Sequence, residues 1–118
     1  MIKSAAIVAL VATIAFGIAA GLLHLQRQRL RKLVMAHLVA ALAAIGLVAL
    51  LVLGTPPAPA QSMAGSLPLA MLAIAGIAGW SAQRIARRGW PRAELVLASH
   101  VILGIAGFLV FLAWLKPL

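Results

Sequence analysis

Residues 33–53 read Leu33-Val34-Met35-Ala36-His37-Leu38-Val39-Ala40-Ala41-Leu42-Ala43-Ala44-Ile45-Gly46-Leu47-Val48-Ala49-Leu50-Leu51-Val52-Leu53. The run holds no Asp, Glu, Lys or Arg, and it is long enough to cross a bilayer core as a helix, which takes about 20 mostly apolar residues. Its one ionisable group, His37, lies early in the run, just past the basic segment Gln26-Arg27-Gln28-Arg29-Leu30-Arg31-Lys32. The same arrangement recurs downstream. Leu95–Leu115 is a second such run, with His100 early in it, and it follows Arg84-Ile85-Ala86-Arg87-Arg88-Gly89-Trp90-Pro91-Arg92. Ser4–Leu25 and the shorter, Gly- and Ala-rich Leu67–Gln83 complete a set of four. Segment 54–66 contains Pro56, Pro57 and Pro59, is poor at continuing a helix, and reads as an uncharged loop. The expected fold is an all-α membrane protein, a four-transmembrane-helix bundle forming one integral membrane domain over residues 1–118.

Composition agrees. Of 118 residues, 65% are hydrophobic and 9% charged, where a soluble domain carries about a quarter charged residues. There is no cysteine, which excludes disulfides, thiolate metal sites and cysteine nucleophiles. The formal charge is +9, with Glu94 the sole acid. The basic residues cluster between apolar runs and form no face interleaved with aromatics, so membrane topology accounts for them and no nucleic-acid partner is expected.

The positive-inside rule sets the expected orientation. Arg27, Arg29, Arg31 and Lys32 lie in the first connection, and Arg84, Arg87, Arg88 and Arg92 in the third, while only Lys3 and Lys116 fall on the other side. Both termini and the Pro-rich loop should face outward, to the periplasm of a bacterial inner membrane, with the Arg-rich loops cytoplasmic. Ala19-Ala20-Gly21 offers small residues for signal cleavage, but Lys3 is a weak basic start and cleavage would leave Arg27–Lys32 outside. The first helix is therefore expected to stay uncleaved.

The halves resemble each other as a parallel two-helix repeat. Aligning Gly17 with Gly76 sets His24 opposite Gln83, and His37 then corresponds to His100 after a four-residue difference in loop length.

An ionisable side chain inside a span is costly enough to be a functional hypothesis by default. Two imidazoles entering from one side to equal depth point to a shared ligand, and haem b fits best, with His37 and His100 on the iron. One and two turns past His37 stand Ala41 and Ala44; past His100 stand Gly104 and Gly107. These small residues would leave room for a porphyrin. Arg31 and Arg92 are best placed to pair with its propionates, with Arg27, Arg84 and Arg88 as alternatives. A plainer reading stands beside this one. Small residues at four-residue spacing, such as Gly17 and Gly21, are also how membrane helices pack, and an intramembrane His can simply hydrogen-bond a neighbouring helix. His24, at a helix end, is expected at the interface. A zinc or copper site on His24, His37 and His100 would lack carboxylate support, with only the thioethers of Met35 and Met71 to add. Trp80, Trp90 and Trp114 fit interfacial anchoring. No acid lies inside a span, which argues against a small proton-coupled exporter and removes the usual acid–base pair.

With Arg31…His37, Arg92…His100 and the Gly17/Gly21 and Gly76/Gly79 pairs in place, the chain resembles the four-helix membrane cytochromes b. The resemblance implies haem b held between two histidines and electron exchange with quinol or a partner protein. Two-haem members need four ligand histidines, and only two lie well inside the spans here, so one haem is expected. The expected role is an electron-transfer subunit within a larger membrane complex, with quinone as a candidate partner, rather than a self-contained enzyme. The alternatives are a cofactor-free accessory subunit of a respiratory or photosynthetic complex, and a small four-helix transporter or channel.

Overall fold

A computed structural model describes residues 1–28, 30–56, 64–89 and 92–115. It contains four helices: α1 (Ile2–Leu25), α2 (Arg31–Gly54), α3 (Ser66–Arg87) and α4 (Ala93–Leu115). All four are long and apolar enough to cross a membrane, and no strand occurs among the described residues. The chain divides into two compact units, residues 1–55 and 56–118. Each is a helical hairpin, α1 on α2 and α3 on α4.

The helices outrun the apolar runs. α2 takes in Arg31 and Lys32, and α3 continues past Gln83 to Arg87. The apolar run marks where side chains meet hydrocarbon. The helix goes further because its backbone groups still need partners, and long basic stems lie along apolar surface with their heads in water.

Both Arg-rich connections begin the same way. Arg27 adopts the left-handed conformation at φ 58, and Gly89 does so at φ 71. The Arg27 N–H donates to His24 O at 3.0 Å and the Gln28 N–H to Leu23 O at 2.9 Å, the paired bonds that close a helix around a left-handed residue. The Gly89 N–H likewise donates to Ala86 O at 3.2 Å. Glycine takes this conformation without a Cβ penalty, whereas Arg27 bears it.

The buried positions repeat between hairpins. Ala6, Leu10, Ala44 and Val48 are buried in the first, and Pro68, Leu72, Gly107 and Phe111 in the second, which also buries Ala75 and Ala82 where the first has the half-buried Thr13 and Ala20. The first helices match at a shift of 62 residues (Ala6 with Pro68, Leu10 with Leu72) and the second at 63 (Ala44 with Gly107, Val48 with Phe111). Arg27 and Gly89 obey the same shift. This corrects the register expected from sequence. Gly17 corresponds to Gly79, not Gly76; His24 falls opposite Ala86, not Gln83; and the connections differ by one residue, not four. Several glycines offer a match in the letters alone, and burial selects the one that faces the partner helix. Pro68 is tolerated as the third residue of α3 because a first-turn amide has no intrahelical acceptor.

Small residues let the helices of a pair approach. A Cβ on Gly107 would stand 3.1 Å from Leu72 Cδ2 and 3.3 Å from Met71 Cβ. The outward surface is apolar: Val8, Leu42, Leu50, Leu109 and Ile102 are all more than half exposed. Such a surface belongs in lipid rather than water, and the protein is an integral membrane protein.

Candidate functional site: two clasped imidazoles

Each hairpin holds its histidine in the same way. His37 Nδ1 lies 2.8 Å from the Thr13 carbonyl oxygen on α1, and His100 Nδ1 lies 2.6 Å from the Ala75 carbonyl oxygen on α3. A carbonyl can only accept, so Nδ1 is the donor in both bonds. The residue four beyond each acceptor is glycine, Gly17 and Gly79. The reason is steric. A helix carbonyl already accepts the amide four residues on, and its second lone pair can be reached only past that residue's side chain. A Cβ on Gly17 would stand 2.9 Å from His37 Cε1 and 3.2 Å from Nδ1; on Gly79 it would stand 2.7 Å from both His100 Cε1 and Nδ1. Each ring therefore occupies the space a side chain would fill.

The bond has two consequences. It satisfies a polar group inside the span, a bond that contributes about 0.6–1.7 kcal/mol between membrane helices. It also fixes the tautomer: in the neutral ring a proton on Nδ1 leaves the lone pair on Nε2. Both rings are half-buried.

The small residues after the histidines separate into two kinds. Ala44 and Gly107, two turns on, are buried within their own hairpins. Ala41 and Gly104, one turn on, are half-exposed, and a Cβ on Gly104 would meet nothing within 4 Å. The two-turn positions belong to helix packing; of the one-turn positions, Gly104 has open space beside it.

Arg31 opens α2, Arg92 immediately precedes α4, and both are exposed. They lie about 9 Å and 12 Å along the helix axis from His37 and His100, at 1.5 Å per residue. His24 is exposed in the last turn of α1, and Glu94 is exposed in the first turn of α4. Among the described residues, no three His, Cys, Asp or Glu side chains gather to hold a metal ion. Trp80 is exposed, as a belt residue would be. Trp114 is also packed within its hairpin: its ring stacks on Phe111 with centroids 6.1 Å apart, its buried Nε1 has no partner among the described residues, and a Cβ on Gly65 would lie 3.0 Å from the ring. Arg29, Pro57, Pro59, Trp90, Lys116 and Leu118 lie outside the described residues.

The two hairpins, taken one at a time, present the same donor arrangement. Each hairpin supplies an imidazole whose Nδ1–H is held by a backbone carbonyl, the kind of outer partner that orients a ligating ring, and a half-exposed small residue one turn away. The sequence does not mark the acceptors Thr13 and Ala75, because every residue has a carbonyl; glycine four residues later is the trace they leave. No known protein family, curated protein or solved structure matches this chain.

Proposed function

We propose that this chain is a membrane electron-transfer subunit, a cytochrome b in which His37 and His100 would hold one haem b. The observation that carries the reading is the twin bond from Nδ1–H to a backbone carbonyl. It orients both imidazoles and assigns the lone pair to Nε2 in both hairpins. Bound haem supplies one-electron chemistry at its iron; the protein supplies ligands, orientation and a water-poor setting. Ala41 and Gly104 give clearance beside the ligands. Arg31 and Arg92 would hold its propionates by charge-assisted hydrogen bonds. The distribution of basic residues favours cytoplasmic Arg-rich connections, termini outside, and haem nearer the cytoplasmic face of a bacterial inner membrane. Electron donor and acceptor would come from a larger complex or from quinone.

A second reading has its own support. Each histidine already joins the two helices of its hairpin, a structural task that needs no cofactor, as in an accessory subunit of a larger complex.

A reduced-minus-oxidised absorption spectrum of protein purified from haem-replete cells separates the two. A low-spin haem b band is expected. His37→Ala and His100→Ala should each abolish or convert it, while His24→Ala leaves it unchanged. A protein without the band, or an unchanged spectrum in His37→Ala, overturns the haem assignment.

A further inference from the structure

Ile74, Ile77, Trp80 and Arg84 follow one another on α3 at three- and four-residue spacings, so they share one face. All four are exposed. The Arg84 guanidinium carbon lies 4.3 Å from the centroid of the Trp80 ring, a cation–π contact that holds the charge over the indole. Arg87 and Arg88 follow within one turn, and both are exposed. α3 contains no acid, and among the described residues no ion pair neutralises Arg84, Arg87 or Arg88.

The first hairpin provides an internal comparison. At the shift of 62 residues that matches the buried positions, Trp80 corresponds to Ile18, Arg84 to Leu22, Arg87 to Leu25 and Arg88 to Gln26. Ile18, Leu22 and Leu25 are exposed in the same way. A hairpin of this design therefore folds with an ordinary lipid-facing surface there. The Trp–Arg pair is an addition that hairpin packing does not require.

We propose that this face of α3 binds an anionic phospholipid. The phosphate sits at Arg84 with Arg87 and Arg88, the indole of Trp80 lies at headgroup depth, and an acyl chain runs along Ile77 and Ile74. Each part matches a chemical demand. Guanidinium groups fit phosphate oxygens through paired hydrogen bonds. Indole is favoured at the membrane interface. Stacking on Trp80 already restrains the Arg84 side chain, so less freedom is lost on binding. Cations at the carboxyl end of a helix also sit well with its dipole. An anionic lipid is favoured over a zwitterionic one because, among the described residues, no acid pairs with these three neighbouring cations. The site does not depend on haem.

The test uses the full chain in nanodiscs of phosphatidylcholine containing either brominated phosphatidylglycerol or brominated phosphatidylcholine at one mole fraction. The Trp80 signal is the difference between wild type and Trp80→Phe. Brominated phosphatidylglycerol should quench Trp80 more, reflecting local enrichment of about fivefold, the worth of one cation near a charged headgroup. Arg84→Gln should remove most of that preference. An Ile18→Trp probe on the matching face of the first hairpin should show none, and this comparison stands even if Arg84→Gln fails to accumulate. Equal quenching by the two lipids, a preference unchanged in Arg84→Gln, or an equal preference at position 18 would overturn the proposal. Absence of quenching by either lipid would mean that a second copy or another protein covers the face, and would overturn it as well.

Discussion

Replacing Gly79 by Ala tests the clasp on which the candidate site depends. The new methyl would stand 2.7 Å from His100 Nδ1 and Cε1, whereas comfortable contact is about 3.5 Å. The ring must retreat by about 0.8 Å, which carries Nδ1 from 2.6 Å past the usual limit of about 3.2 Å for a hydrogen bond. Loss of an interhelical bond in a membrane costs about 0.6–1.7 kcal/mol, and crowding adds about 1 kcal/mol. Alanine returns about 0.5–1 kcal/mol as a better helix former. The net expectation is destabilisation by about 1–2 kcal/mol, read from reversible unfolding in mixed micelles by SDS titration. Gly17→Ala, with its closest contact at 2.9 Å, should cost less. Gly104→Ala, with open space beside it, should be neutral or stabilise by up to about 1 kcal/mol. A second mutation isolates the cause. In a His100→Ala background, Gly79→Ala should become harmless, since nothing remains to displace. If its penalty persists there, or if Gly79→Ala and Gly104→Ala behave alike in the parent, the clasp is not what the glycine serves.

Arg27→Gly should stabilise the first hairpin by about 1 kcal/mol by removing the Cβ from a left-handed residue; Arg27→Gln, which keeps the Cβ, should not, and equal effects of the two in the same titration would assign the change to charge. Gly104→Leu and Ala41→Phe should lower haem per folded protein more than they lower the amount of assembled protein; full haem occupancy in both would place the cofactor elsewhere. Reporter fusions after Leu118 should behave as periplasmic if eight basic residues in the two Arg-rich connections set the topology; a cytoplasmic signal would reverse the orientation and the placement of haem near the cytoplasmic face.

The four helices were legible because hydropathy reports directly on the lipid-facing majority of each span. Their ends were less so: Arg31, Lys32, Arg84 and Arg87 are charged and helical at once, and polarity does not mark where backbone bonding stops. The repeat was legible as a likeness between halves, but its register was not. Gly17 can be matched to Gly76 or Gly79 by type, and only the phase of the helix shows which one faces a histidine. Both histidines were visible as anomalies in apolar runs. Their partners were not, because Thr13 and Ala75 contribute backbone oxygens that no side chain announces. The packing of Trp114 is hidden in the sequence for a related reason. Belt tryptophans and packed ones share a place near helix ends, and the packing partner Gly65 is silent in sequence.

The internal repeat also bears on the choice between a cofactor ligand and a structural clasp. Packing between the helices is already provided by Ala6, Leu10, Ala44 and Val48 in one hairpin and by their counterparts in the other. An interhelical hydrogen bond in a membrane contributes on average only about 0.6 kcal/mol, a gain that a well-packed aliphatic side chain at position 37 or 100 would equal. Such a replacement would need neither the imidazole nor the glycine that makes room for it, and glycine inside a helix costs about 0.5–1 kcal/mol against alanine. Stability alone therefore gives no preference for His with Gly over two ordinary apolar residues. Yet both hairpins carry the combination at the same place, each with its donor nitrogen turned to a carbonyl. Under the proposed function, what the imidazole adds at each place, and an aliphatic side chain could not, is a second ring nitrogen able to bind a ligand.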